Sequence, residues 1–209
     1  MTTIATPTTL YDPPPSFSLV SPFLYRSSVP TSSHLPYLLP LHLNTLLSLG
    51  PELPSKALQQ WCELQNVRLV HLGRKRDVVG EARTWKPVQE ELVKEGLQLL
   101  LSRENAPCLV VDPSGVHEVG ILIGCLRKLQ RWTLSAIFAE YASLAGSQSR
   151  DIEEQFIELF DTDLVVIPPL KDRIDGVRDV VNDPPLLAPP HWNAQVPPDP
   201  SSDSPTTQA

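Results

Sequence analysis

The chain has 209 residues, of which 41% are hydrophobic, three cysteines and a formal net charge of −7 at pH 7. That length and apolar content suffice for one domain of ordinary size with its own core, while the acidity argues against nucleic acid and anionic membranes as partners. With an odd number of cysteines, no cationic start leading into an apolar segment, and no run of about 18 apolar residues, the expectation is a reduced, cytoplasmic protein without disulfides.

Proline divides the chain. Ten of the 23 prolines lie in the first 54 residues and ten after residue 167, leaving Pro87, Pro107 and Pro113 across the middle. The expected organisation is a disordered arm over 1–12, one domain over 13–163, and a proline-rich, largely disordered tail over 164–209. His191-Trp192 is the one candidate docking anchor inside that tail.

In chain order, Asn44 to Leu49 reads as a strand. Ser55 to Gln65 reads as a helix capped by Ser55, with Leu58, Trp61 and Cys62 on its inner face. Val67 to Leu72 is a second strand, and Gly73 to Trp85 is polar. Within that stretch Gly73-Arg74-Lys75-Arg76-Asp77 is the one local basic cluster. Pro87 is expected to open a helix that runs to about Ser102. Cys108 to Val111 is a short buried strand, and helices follow near Gly120 to Gln130, Thr133 to Ala145 and Arg150 to Phe160. Strands alternating with helices predict an α/β layer, a central sheet with helices on both faces.

Between the strand at Cys108 and the helix near Gly120 lies Asp112-Pro113-Ser114-Gly115-Val116-His117-Glu118-Val119-Gly120. A strand, a tight glycine-containing loop and a helix N-terminus make a cradle of backbone N–H groups suited to an anion. Ser114, Gly115, His117 and Gly120 are its candidate anion-binding residues. Asp112 or Ser114 is expected to hydrogen-bond the loop and the helix N-terminus, with Glu118 near the positive end of the helix dipole. Asp112, His117 and Glu118 are donors suited to a divalent cation, but residues gathered in one short loop are no signature, and no metal or other cofactor is expected. Cys125 and Arg131 also satisfy a Cys-x5-Arg spacing, but the intervening Leu-Arg-Lys-Leu-Gln has no glycine and continues a helix. Cys125, Cys62 and Cys108 are read as core residues.

Several stretches together resemble the atypical dual-specificity phosphatases of plants and fungi, including the yeast oxidant-induced cell-cycle arrest group. They are Pro14-Pro15-Ser16-Phe17-Ser18-Leu19-Val20, Tyr25-Arg26-Ser27, Gly124-Cys125-Leu126-Arg127-Lys128-Leu129-Gln130-Arg131-Trp132, Ile137 to Tyr141, and Phe156 to Asp161. The resemblance covers roughly Pro13 to Asp163 and implies a single cysteine-phosphatase-like α/β domain. Active members carry His-Cys, five residues, then Arg in the loop; the corresponding residues here are Val111, Asp112 and Glu118. Gly115, His117 and Gly120 match.

A cysteine phosphatase needs a thiolate nucleophile and a guanidinium clamp. Two carboxylates in their place would repel a phosphate by about 4 kcal/mol per charge pair near 4 Å at an effective dielectric of ~20, against a helix-dipole attraction of about 0.3 to 2 kcal/mol. Pro113 also removes one N–H donor. The expectation is therefore a protein that is not an enzyme: a catalytically inactive phosphatase-like regulatory or scaffolding subunit, partnered through the resemblance with related phosphatase-like proteins in a hetero-oligomeric complex. The alternative is an active phosphatase of phosphotyrosine or inositol pyrophosphate that works without cysteine, through Asp112 or His117. By the same resemblance, the Arg74 to Arg76 loop would flank the site mouth and Asp77 would stand near a general-acid position; a solvated turn is the preferred reading of Asp77.

Overall fold

In the computed structural model, residues 11–73 and 87–177 are described. The basic cluster Arg74 to Asp77 and the His191-Trp192 pair lie outside the described residues. A five-stranded sheet runs in the order β1 (Ser18–Ser21), β2 (Leu24–Ser28), β5 (Cys108–Asp112), β3 (Thr45–Ser48), β4 (Arg68–His71). β1 is antiparallel to β2, and the other pairs are parallel. β5 is central, and its continuous apolar run suits a strand covered on both faces.

Side chains alternate across that strand. Leu109 and Val111 face one layer with α1 (Leu35–Leu38) and α2 (Lys56–Leu64), packing among Leu38, Leu46, Leu58 and Cys62. Cys108 and Val110 face the larger layer formed by α3 (Glu90–Leu101), α4 (His117–Leu129), α5 (Leu134–Ala145) and α6 (Asp151–Leu159). Two-residue periodicity places Asp112 on that second face, at the C-terminal end of the central strand. This is where open α/β sheets bind their ligands.

The α/β expectation and the elements from β3 onward are found. Ser55 caps α2 by accepting the N–H of Leu58 at 3.3 Å, and Thr133 caps α5 by accepting that of Ala136 at 3.4 Å. Three boundaries differ. α3 begins at Glu90 rather than Pro87, because Gln89 is extended with ψ 136°. α4 begins at His117 rather than Gly120, because the Ser114 hydroxyl already accepts the N–H groups of Val116 (3.0 Å) and His117 (3.2 Å). Packing also continues past the expected domain end at Asp163. Val165 and Val177 are buried, and the N–H of Ile174 donates to the Leu101 carbonyl at 2.9 Å.

α4 is the hub: Val119 to Arg127 are all buried. Arg127, polar in the sequence pattern, is 6% exposed. Its guanidinium grips the Glu140 carboxylate with Nε at 2.8 Å and Nη2 at 2.7 Å, donates to the Val20 carbonyl at 2.7 Å, and lies 4.3 Å from the Trp132 ring. One cation thus ties β1, α4 and α5 together, with the bidentate geometry that suits arginine. Lys128 does the same for α6. Its ammonium donates to the carbonyls of Ile157, Glu158 and Phe160, which the helix end leaves without intrahelical partners.

Lys128→Met keeps the apolar stem and removes these charged hydrogen bonds. The expected loss is about 1.5 to 3 kcal/mol of unfolding free energy, read from the urea midpoint at unchanged m-value.

Candidate functional site

The loop joining β5 to α4 is organised around its own aspartate. Asp112 is 0% exposed. Its Oδ1 accepts the N–H of Ser114 at 2.7 Å, the Ser114 hydroxyl at 2.9 Å and the N–H of Gly115, and its Oδ2 accepts the N–H of Val119 at 2.9 Å. The N–H groups of Val116 and His117 go to Ser114 Oγ, and that of Glu118 engages its own carboxylate. The cradle expected from the sequence is therefore present, and within it every N–H from Ser114 to Val119 has a partner from the loop itself.

Gly115 sits at φ +73°, and a Cβ there would lie 2.4 Å from the Ser28 nitrogen, so the turn requires glycine. Gly120 is different from its expected role. Its N–H donates to Val116 at 2.9 Å inside α4, and a Cβ would sit 3.0 Å from the Tyr141 ring. It serves helix packing and offers no donor to an anion. Pro113, exposed at the turn, supplies none by its chemistry.

Electrostatics at the loop differ from the expected doubling of negative charge. Burial raises the Glu118 pKa; Asp112, through its charge and a hydrogen bond, raises it further, with the residue's own N–H and His117 opposing. A neighbouring carboxylate thus favours the protonated form of Glu118, as an adjacent like charge does. Behind the loop, Arg26 of β2 is 2% exposed and donates from Nη2 to the Gly115 carbonyl at 2.8 Å. Burial pushes its guanidinium pKa down, and the charges of Asp112, Glu140 and Tyr141 oppose that shift. The sequence stretch Tyr25-Arg26-Ser27 flagged this position only as part of a likeness. Its charge-balancing role appears once β2 pairs with β5, with Ser27 opposite Val111.

His117, at the first turn of α4, is turned to α6. Its Nδ1 lies 2.9 Å from Glu153 Oε1 and 3.2 Å from Oε2. Glu153 is 1% exposed. It also accepts the Tyr141 hydroxyl and faces Arg150 Nη1 at 3.5 Å, while the Arg150 N–H donates to the Tyr141 oxygen at 3.1 Å. Burial, then Glu153, pushes the Tyr141 phenol up to about 12. Glu153 was not singled out in the sequence, although its spacing, three and four residues before the buried Phe156 and Ile157, places it on the inner face of α6.

All three cysteines are buried and free. Burial raises Cys62 to about 11 and Cys108 to about 12, and raises Cys125 as well. Cys125 is 0% exposed within α4, so its spacing to Arg131 has no catalytic meaning. Among the described residues, no group of three or more His, Cys, Asp and Glu is placed to hold a metal, and no helix is long and apolar enough to cross a membrane.

The family model described as "Tyrosine phosphatase family" matches residues 11–178. A Dictyostelium discoideum protein named "Probable tyrosine-protein phosphatase DG1060" is 42% identical over 153 residues, 73% of this chain and 90% of that one. Inositol diphosphatase DSP1 of Oryza sativa subsp. japonica is 36% identical over 149 residues, 71% of this chain and 65% of its own length. Among solved structures, the core catalytic domain of the PP-IP phosphatase SIW14 from S. cerevisiae, in complex with citrate, superposes with a TM-score of 0.66 at 34% identity, covering 74% of this chain and 90% of that one. These findings correct the expectation that the chain is not an enzyme. Its relatives are named as phosphatases, and the superposed core is a catalytic domain. The repulsion on which that expectation rested is also opposed by the buried Arg26 beneath the loop and by the upward shift of the Glu118 pKa.

The raised Glu118 pKa has a direct consequence for stability. Because the folded state holds this proton more tightly than the unfolded chain, Glu118 costs stability as pH rises above the ordinary glutamate range. Glu118→Gln is expected to melt at a higher temperature than wild type at pH 7, with the two converging as the pH falls below that range. Calorimetric scans across pH check this.

Proposed function

The chain belongs to the tyrosine phosphatase family, and from that premise we propose that it is a phosphatase that works without cysteine, hydrolysing phosphotyrosine or an inositol pyrophosphate with Asp112 as the nucleophile. One observation carries this reading: the Asp112 carboxylate is held at the focus of the loop's N–H groups, the position that the family pattern gives to the reactive sulfur. The substrate classes come from the names of the relatives.

The chemistry follows from the arrangement of the loop. An arriving phosphoryl group takes over the N–H groups of Val116, His117 and Glu118 from Ser114 Oγ and the Glu118 carboxylate, while those of Ser114, Gly115 and Val119 keep Asp112 at the base of the cradle. Backbone donors aimed at the equatorial oxygens stabilise the charge spread over them in the transition state. An Asp112 oxygen forms a bond to phosphorus as the bond to the leaving oxygen breaks. Protonated Glu118 gives its proton to that oxygen, the task a carboxyl group with a raised pKa suits. The resulting aspartyl-phosphate is hydrolysed by water, the two-step course of carboxylate nucleophiles. Arg26 stays behind the loop and offsets the charge of Asp112.

Purified full-length chain is expected to hydrolyse p-nitrophenyl phosphate and either a phosphotyrosine peptide or an inositol pyrophosphate. Asp112→Asn, which preserves the acceptor at Oδ1, is expected to lose roughly 10³-fold or more of that turnover. Acid-quenched enzyme is expected to carry one hydroxylamine-labile phosphate on the loop peptide. Absence of turnover on all three substrates, or full turnover by Asp112→Asn, overturns the reading.

The buried thiols supply a separate check. Prior treatment with iodoacetamide at pH 8 is expected to leave both the native thiols and the turnover unchanged, because reaction needs an accessible thiolate. Mass spectrometry after treatment, in buffer and in denaturant, reads the difference.

A further inference from the structure

The cluster of His117, Glu153, Tyr141 and Arg150 borders the loop but has no hand in holding Asp112. We infer that His117 is the catalytic base for the water that cleaves the aspartyl-phosphate, with Glu153, held by Tyr141 and Arg150, as its positioning residue; this rests on the phosphatase reading above.

The polarity of the cluster supports that role. A carboxylate can only accept, so the His117 nitrogen at 2.9 Å from Glu153 is the donor, and in the neutral ring a proton on Nδ1 leaves the lone pair on Nε2. The histidine side chain is 17% exposed and that of Glu153 is 1% exposed. A base that reaches solvent, backed by a buried carboxylate that fixes its tautomer and stabilises the imidazolium it becomes, has the division of roles found in hydrolytic triads. Glu153 is in turn fixed by the Tyr141 hydroxyl and by Arg150, so the ring orientation is set by four residues from three helices and the turn before α6. The His117 backbone is anchored as well, through its N–H to Ser114 Oγ at 3.2 Å.

A purely structural staple between α4 and α6 does not need this histidine. Lys128 already ties α4 to the end of α6, and Tyr141 ties α5 to its start. Glu118 is less suited to the second step. Once it has given up its proton it faces the negative phosphoryl group carried by Asp112, its neighbour, whereas an unprotonated imidazole adds no further negative charge. In the proposed step the water oxygen bonds to phosphorus, the bond from phosphorus to the Asp112 oxygen breaks with its electron pair returning to the carboxylate, and one water proton passes to His117 Nε2. The imidazolium then releases that proton to solvent, and Glu118 is reprotonated from solvent.

The experiment is rapid-quench turnover of p-nitrophenyl phosphate by the full chain. His117→Ala is expected to keep the first-turnover burst of p-nitrophenol, to accumulate phosphoenzyme, and to lose about 10²- to 10⁴-fold in steady-state rate. Added imidazole is expected to restore part of that rate. Glu153→Gln is expected to slow the same step without rescue by imidazole. For wild type, nitrogen-15 NMR is expected to show Nδ1 protonated and Nε2 with its lone pair. An active wild type whose His117→Ala variant turns over normally, or loses the burst together with the steady state and gains nothing from imidazole, overturns the inference and leaves the phosphatase reading standing. The Nε2-protonated tautomer does the same. A wild type with no turnover overturns both.

Discussion

A single buried carboxylate fixes the shape of the loop at the end of the central strand. Asp112 has no solvent exposure, and an unpaired ion in that position would cost several kcal/mol. The cost is offset because three backbone N–H groups and one hydroxyl converge on its two oxygens. That convergence has requirements of its own. The chain must reverse within three residues, which demands the left-handed conformation of Gly115 against Ser28. α4 must begin close enough to present Val119, and Arg26 must reach beneath the turn from the neighbouring strand. β2, β5 and α4 are thereby locked to one another through one side chain.

Two further carboxylates lie close by and meet the same physical demand differently. Glu118 is short of donors, so burial and the neighbouring charge move it toward the protonated form. Glu153 is instead surrounded by donors from Tyr141, His117 and Arg150. The contrast follows from helix geometry. His117 and Glu118 are successive residues of the first turn of α4, about 100° apart around the axis, so one is directed to α6 and the other to Asp112. The first turn therefore sends an imidazole to a carboxylate it can pair with and a carboxyl to one whose charge raises its pKa.

What could be read from the sequence follows the range of the signals. β3 to β5 and the longer helices rest on local periodicity and caps such as Ser55 and Thr133, and they were legible. The β1–β2 hairpin was not, since four- and five-residue strands such as Ser18–Ser21 carry too little pattern. Arg127 is a charged residue whose burial depends on partners in other elements, and a one-dimensional pattern assigns it to solvent; Glu153 has the spacing of an inner-face residue, but the donors that pair with it come from other elements. The loop is recognisable in the sequence as an anion cradle, with Asp112 or Ser114 as its hydrogen-bonding group. The missing element was occupancy: that the carboxylate fills the cradle, that Gly120 belongs to helix packing, and that Arg26 lies beneath. The last two arise from residues distant in sequence, Tyr141 against Gly120 and Arg26 against Gly115, whereas the first is local and depends on the exact turn geometry that brings Ser114, Gly115 and Val119 to one side chain.

The replacement of sulfur by carboxylate changes what the cradle can release. A single thiolate would gather its donors at one point and leave the remaining N–H groups directed outward. A carboxylate spreads two oxygens across the same donors, and Ser114 Oγ takes those of Val116 and His117 in addition. On the proposed reading, phosphate binding is an exchange of acceptors rather than the filling of an open site, and its free energy is a difference between two sets of hydrogen bonds, each worth about 0.5 to 1.5 kcal/mol net or somewhat more with charge. A phosphoryl group gains on that exchange through its greater charge and its three oxygens. It loses by facing Asp112 directly. On that reading the balance between the loop's own carboxylate and a phosphate turns on the raised pKa of the Glu118 carboxyl and on the cation behind Gly115, which lies outside the set of donors that touch the ligand.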